Sequence, residues 1–495
     1  MAEEPDDTKA IAGHGVVVVS RNGDVIRYDP TGLVMRLSDK VIDDIALRLD
    51  HRIPPTSERS DSQKPSSIRV DPHEHLEGID AWEVRQDGEW LYFAANLPGD
   101  QGVRGFRRLG DGGDILGDAP GPLVGILGLG GPRAAIATRE ASHYPQHITA
   151  PADDIGAVGH AGVEDAKSVD TLEHLREVTH EALVAETFIR WQQEKYAAFP
   201  VFMTRVETDS SATSAQLANG KAFENFVAAA SNLTLAAKRM GKKPKLMCVH
   251  LDYSLEDTSD DAVAYRDGML SVMGRAEDAL FKLGFENPVF VARMESGTAE
   301  ITQAAAIEGQ WELAWNHGSH RFLYSAPSYM FAHDRFERAT TDARREMAEM
   351  TAAAIADPEN WQCPTFYLAE RTGDPKVIKV VAQSMTDLVV DQYDPFDAGA
   401  GGGFRVLYAD NPVDVTDVSV DPDDSKALHL RLSARPEGEG VQIAYAFGAA
   451  PRDGSYPANC GVVRDTWQLE SKTGRVLNRW ALPCLLPLQP GASDA

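Results

Sequence analysis

The sequence predicts an α/β protein, with a doubly wound parallel-sheet domain set between a β-rich N-terminal module and a C-terminal β-sandwich. Three observations predict it. Between residues 120 and 356, short apolar runs alternate with segments of helical apolar spacing, the pattern of buried parallel strands covered by helices. On either side the apolar runs are short and punctuated by Gly, Pro, Asn and Asp, as in β-rich regions. A chain of 495 residues is also longer than one hydrophobic core ordinarily organises.

At the start, Val16-Val17-Val18-Val19 and the alternating Val25-Ile26-Arg27-Tyr28 flank Asn22-Gly23-Asp24, which reads as a hairpin. A helix is expected at 38–49. The stretch 54–67, rich in Pro, Ser and charge, reads as linker. Residues 82–84 and 90–94 flank Asp87-Gly88 as a second hairpin, followed by a glycine-rich segment at 99–121, so that everything before about residue 120 reads as β-rich and irregular. The expected boundaries are therefore 1–53 for the N-terminal module, 54–70 for the linker and 71–119 for a β-rich connecting region. The α/β domain spans 120–356 and the sandwich 357–495.

Within the α/β region the expected strands are 123–127, 201–205, 245–250, 288–294 and 322–325. Helices are expected at 172–198, 222–240, 262–283 and 295–315, with apolar residues at helical spacing as in Phe223, Phe226, Val227 and Ala230. A last helix, 336–356, stops before Asp357-Pro358, because the residue before proline avoids helical dihedrals. Further on, 365–368, 377–381, 388–390, 404–408, 427–432 and 442–446 read as the strands of the sandwich.

A formal net charge of −27 repels nucleic acid and anionic headgroups, so neither nucleic-acid binding nor membrane insertion is expected. The acidic start, with no apolar run beyond Val16 to Val19, leads to an expectation of cytoplasmic synthesis without a signal peptide. Cys248, Cys363, Cys460 and Cys484 form no CxxC pair and read as structural thiols. A Cys460–Cys484 bridge stays open for a protein working outside the cell.

Several stretches of the central region together resemble the SGNH hydrolases, in particular the sialate O-acetylesterase-like carbohydrate esterases of phage-type proteins. Where those relatives carry a Gly-Gln-Ser-Leu-like nucleophile loop, Val124-Gly125-Ile126-Leu127 leads into Gly128-Leu129-Gly130-Gly131, without serine. Their His-Gly-Glu-x-Asp-like motif corresponds to His250-Leu251-Asp252-Tyr253-Ser254, which keeps the histidine but not the glycine and glutamate. Their Asp-x-x-His corresponds to Asp334-Arg335-Phe336-Glu337, with glutamate in place of the base. The resemblance extends through 291–307, Ser325-Ala326-Pro327-Ser328-Tyr329 and a tail containing Gly461-Val462-Val463-Arg464-Asp465, covering about residues 120 to 488.

Serine-based hydrolysis needs a hydroxyl nucleophile, a base and oxyanion donors. The resemblance therefore implies a degenerate catalytic site at Gly130, His250, Asp252, Asp334 and Glu337, with no catalysis expected. It implies a non-enzymatic spike or fibre on the head or tail of a phage or gene transfer agent. Such a protein would bind cell-surface polysaccharide, meet other particle proteins through its N-terminal module and form a homo-oligomer. Trp311, Trp315, Tyr324 and Tyr329 are the candidate sugar-stacking residues, because aromatic faces receive the C–H faces of sugars. The alternative is a carbohydrate esterase with a rearranged site using His250, Asp252, Asp334 and Glu337.

No cofactor or metal is expected. Gly128-Leu129-Gly130-Gly131-Pro132-Arg133 is not a dinucleotide-binding GxGxxG. His73-Glu74-His75 and His317-Gly318-Ser319-His320 each supply only a pair of imidazoles, and Asp421-Pro422-Asp423-Asp424 lacks the spaced ligands of a calcium loop.

Overall fold

The computed structural model describes residues 76, 78–99, 102–211, 213–259 and 261–491, with the backbone of strands at 17–19, 25–29, 32–36 and 68–69. Two compact units are present, Met1–Ser67 and Ile68–Ala495. In the first, β1 (Val17–Val19), β2 (Val25–Asp29) and β3 (Gly32–Arg36) pair antiparallel in that order, adding a third strand to the expected hairpin. The helix expected at 38–49, the stretch 54–67 and His73-Glu74-His75 lie outside the described residues.

The second unit opens with a five-stranded antiparallel sheet of β4 (Ile68–Arg69), β5 (Ala81–Asp87), β6 (Trp90–Ala95), β7 (Arg104–Leu109) and β8 (Gly112–Gly117). Strands β7 and β8 lie in the glycine-rich segment 99–121, within the region read from the sequence as β-rich and irregular. Gly112 and Gly113, at φ of 124° and 94°, let the chain re-enter the sheet where most side chains would be strained. Leu91, Phe93 and Phe106 are buried in a small core of this sheet.

The chain then alternates. Its elements are β9 (Leu123–Gly130), β10 (Ile148–Pro151), β11 (Leu172–His174), α1 (His180–Glu194), β12 (Val201–Thr208) and α2 (Lys221–Arg239). These are followed by β13 (Pro244–Asp252), α3 (Ala262–Lys282), β14 (Val289–Met294), α4 (Ala305–Trp315), β15 (Arg321–Pro327) and α5 (Thr341–Ala356). The sheet runs β11-β10-β12-β9-β13-β14-β15, parallel throughout except for the antiparallel edge strand β11. Side chains alternate across a strand. Val124, Ile126, Phe202, Cys248 and Val291 accordingly pack with α1 and α5, while Leu123, Leu127, Met203, Val249 and Phe290 pack with α2, α3 and α4.

Three expected helices begin too early. Residues 172–174 pair with β10 instead, and α1 starts only after Thr179, whose hydroxyl accepts the Ala182 N–H. Residues 295–304 are loop. The chain at 336–340 turns before Thr340 caps α5. The five-stranded sheet docks on the carboxyl end of α2, where Trp90 donates to the Arg239 carbonyl at 3.1 Å and Arg107 to the Met240 carbonyl at 2.7 Å.

The remainder is β-rich: β16 (Thr365–Arg371), β17 (Val377–Gln383), β18 (Val389–Val390), β19 (Phe404–Leu407), β20 (Val415–Asp421), β21 (Asp424–Leu432), β22 (Gln442–Tyr445), β23 (Val463–Glu470), β24 (Val476–Trp480) and β25 (Cys484–Gln489). A seven-stranded sheet, β19-β22-β25-β16-β17-β21-β20, and a three-stranded sheet, β18-β23-β24, share one core through Phe366, Leu428, Ile443, Val463, Leu477 and Trp480. Strands β20, β23, β24 and β25 go beyond those read from the sequence. Asp421 is held by Lys379 at 2.8 Å at the β20–β21 turn. All four cysteines are buried free thiols, so the open question of a Cys460–Cys484 bridge is answered with two thiols.

Inside the sheet, Arg205 on β12 is 1% exposed and donates to Glu207 at 2.7 Å, Asp153 at 3.1 Å and the Gly156 carbonyl at 2.7 Å. Removing the cation strands two buried carboxylates. Arg205→Met is expected to cost about 3–5 kcal/mol in urea unfolding. An unchanged midpoint would show that the cluster contributes nothing.

Candidate functional site

A cleft opens at the carboxyl ends of β9, β13, β14 and β15, beside the point where the strand order reverses around β9. In parallel α/β sheets the loops diverge there and leave a crevice. Each element supplies polar side chains. The short turn after β9 brings Arg133, β13 brings Asp252 and Ser254, and β14 brings Arg293 and Glu295. The chain after β15 adds Ser328, His333 and Glu337, and the helices add His180 and Arg344.

These groups mostly answer one another. Arg133 donates to Glu295 at 2.8 Å and Arg293 to Asp252 at 2.9 Å. Attraction to Glu295 holds the Arg133 guanidinium even more firmly protonated than usual. Burial works to raise the Asp252 carboxyl, but Arg293, His250 and Arg133 outweigh it and leave it below its ordinary range. Glu295 also accepts the N–H groups of Ser296 and Gly297, and the Ser254 hydroxyl lies 3.3 Å from its other oxygen. Arg344 donates to the carbonyls of Ile136 and Val178. The enclosed volume is about 80 Å³, room for a few waters, against the ~300–1,000 Å³ of small-molecule sites.

Of the five positions read as a degenerate catalytic set, Asp252 and Glu337 line the cleft. Gly130 ends β9 where a Cβ would stand 2.1 Å from the Asp252 carbonyl oxygen and 2.8 Å from the Ala134 Cβ. No side chain fits there without moving backbone. His250 is buried beneath the cleft. Its Nδ1 is 2.8 Å from Glu181, its ring centre lies 4.3 Å from that of His180, and its Nε2 has no partner. Asp334 is exposed and accepts the N–H groups of Phe336 and Arg338, which hold its carboxyl below the usual range and shape the turn carrying Glu337. Glu337, at φ 58°, accepts the Ala299 N–H at 3.1 Å. Asp334 and Glu337 thus form a turn in which the aspartate orients backbone.

None of the four candidate aromatics lines this cleft. Trp311 donates its indole N–H to the Phe366 carbonyl at 3.0 Å, and Tyr329, fully buried, donates to the Ala481 carbonyl at 2.7 Å. Both contacts join the α/β part to the β-rich part. Trp315 and Tyr324 line a separate cavity. Sequence reasoning missed Arg133, Arg293, Arg344, Ser254, Glu295, His180 and His333. The available signal was position, because Arg133 and Glu295 follow the carboxyl ends of their strands and His333 adjoins Asp334.

His317 and His320 do not converge on a common point. His317 Nδ1 contacts the His320 carbonyl, and His320 pairs with Glu277. No helix among the described residues is long and apolar enough to cross a membrane.

No family model and no curated protein matches the chain. Among solved structures it is similar to a carbohydrate acetylesterase from Xanthomonas citri, with TM-score 0.48 and 13% identity over 78% of this chain and 85% of that one. It is also similar to a tail fibre protein from an E. coli phage, with TM-score 0.27 and 11% identity over 87% of this chain and 53% of that one.

Two expectations follow from the cleft. Gly130→Ser is expected to lower stability by about 1–3 kcal/mol through overpacking and to release no acetate from an acetylated polysaccharide. A hydrolase of wild-type stability would contradict it. Burial, reinforced by His250, Arg293 and Arg344, lowers the His180 imidazole well below its ordinary 6.5. Below that pH the unfolded chain gains a proton that the folded protein refuses, so this share of stability is complete above pH 6.5 and declines on acidification. His180→Asn is expected to flatten the fall in urea midpoint between about pH 7.5 and 5; an unaltered slope would assign the effect elsewhere.

Proposed function

We propose that the protein is a non-hydrolytic spike or fibre of a phage-like particle, carrying an SGNH-like domain and binding host cell-surface polysaccharide. The observation that carries the non-hydrolytic part is the end of β9. The position matched to the nucleophile loop is a glycine packed against the Asp252 carbonyl, and the Arg133–Glu295 and Arg293–Asp252 pairs line the cleft. An oxyanion hole needs donors aimed at the substrate oxygen, and one N–H of each of these guanidinium groups is turned to a carboxylate instead. The particle assignment rests on the resemblance of residues 120 to 488 to phage-type proteins. In this reading residues 1–53 join other particle proteins across the linker 54–70. The domain at 120–356 and the sandwich at 357–495 face outward, and copies assemble so that weak sugar affinities multiply.

A second reading, a carbohydrate esterase with a rearranged site, is favoured by one contact, the Ser254 hydroxyl 3.3 Å from Glu295 in the cleft wall. A carboxylate can take a hydroxyl proton if its own affinity for protons is raised. The two readings separate cleanly. Particles without the protein are expected to lose most adsorption to host cells, and the purified protein to release acetate from acetylated polysaccharide at no more than the background rate. Normal adsorption would sink the proposal. Acetate release abolished by Ser254→Ala or Glu337→Gln would replace it with the esterase.

A further inference from the structure

Trp315 and Tyr324 belong to a cavity of about 330 Å³ between the α/β and β-rich parts, a size within the ~300–1,000 Å³ range of small-molecule sites. The carboxyl end of α4 supplies Trp315, β15 supplies Phe322 and Tyr324, and the segment leading to β16 supplies Trp361 and Gln362. Thr365 opens β16 and sits opposite Gln383, the last residue of β17. No Asp, Glu, Lys or Arg is among the lining residues, although a quarter of the chain is charged.

We infer that this cavity binds a neutral pyranose unit of a polysaccharide. An anionic sugar entering a site with neither Lys nor Arg, where the one imidazole, His317, has its Nδ1 turned to the His320 carbonyl, would lose hydration with little in return. A neutral one meets aromatic walls for its C–H faces and uncharged polar groups for its hydroxyls. The carboxamides of Gln362 and Gln383 carry no hydrogen bond within the described residues, so four donor and acceptor functions remain for a ligand. The Trp315 indole N–H is buried without an acceptor, another polar group left unsatisfied in this wall. Outside the cavity, half-exposed Tyr367 packs against Trp315 with ring centres 5.9 Å apart at 71°, extending the aromatic surface toward solvent.

This inference rests on the reading of the protein as a polysaccharide binder and names the place and the sugar class. A competing cavity of about 490 Å³ lies at the amino ends of β13, β14 and β15, beside α1 and the end of α5, where Trp191 is joined by Lys195, Lys245, Arg321 and Glu286. That lining would suit an acidic sugar.

The test uses the full-length protein with a panel of neutral oligosaccharides (glucan, mannan and galactan fragments) and acidic ones (hyaluronan and polygalacturonate fragments), read by calorimetry and tryptophan fluorescence. Binding of at least one neutral oligosaccharide is expected, weakened at least tenfold by Gln383→Leu and by Gln362→Leu. The urea midpoint of each variant confirms that it is folded, and Lys245→Glu is expected to leave binding unchanged. Neutral-sugar binding that survives both glutamine variants overturns this site and leaves the polysaccharide-binding reading standing. Binding of acidic oligosaccharides alone, lost in Lys245→Glu, moves the site to the cavity at the amino ends of β13–β15. No binding by the wild type overturns both.

Discussion

The close approach of β9 and β13 at their carboxyl ends constrains everything around the cleft. Gly130 sits beside Asp252, and the next residue, Gly131, donates its N–H to the Asp252 carbonyl at 3.0 Å. A backbone so close to its neighbour leaves no volume for a side chain at 130. The chain must then leave the strand without one, and Pro132 begins the short helical turn that carries Arg133 back over the sheet. Arg133 meets Glu295 there, so a local packing limit on one strand determines a charge contact across the cleft.

That charge contact has a second consequence. A site lined by three carboxylates and four arginines could in principle bind almost any polar ligand, but ion pairs formed inside the protein lower the field available to an outsider. Asp252 and Glu295 have guanidinium partners, and Arg344 is committed to two backbone carbonyls. The polar character of the cleft is therefore in good part internally paired. Its small enclosed volume agrees with that.

The sequence reading reached the central strands because buried parallel strands show apolar runs, as in β9, the Val201-Phe202-Met203 start of β12 and the Val289-Phe290-Val291-Ala292 start of β14. It overextended helices where polar side chains capture the backbone. Glu295 takes the N–H groups of Ser296 and Gly297, and Asp334 takes those of Phe336 and Arg338, so neither segment continues as helix. Apolar spacing cannot register a side-chain acceptor of this kind. The polar strand β23, whose outer face carries Thr466, Gln468 and Glu470, was hidden for a related reason: only part of one face is buried. In the site, the missing serine at the end of β9 was legible, but the arginines that line the cleft were not. Their role depends on which strand ends the topology brings together.

The aromatics show the same limit from the other direction. Trp311, Trp361 and Tyr329 each bond a backbone carbonyl across the seam between the α/β and β-rich parts. These rings fasten the two parts, a use that composition cannot distinguish from sugar stacking. Trp315 differs because the same seam leaves a gap beside it, reached by the carboxamides of Gln362 and Gln383 and by the already bonded groups of His317, Tyr324 and Thr365. A seam between two separately packed layers has edges that neither core can fill completely. Ligand cavities are common in such places, and here the incomplete edge is aromatic and lined by no Asp, Glu, Lys or Arg.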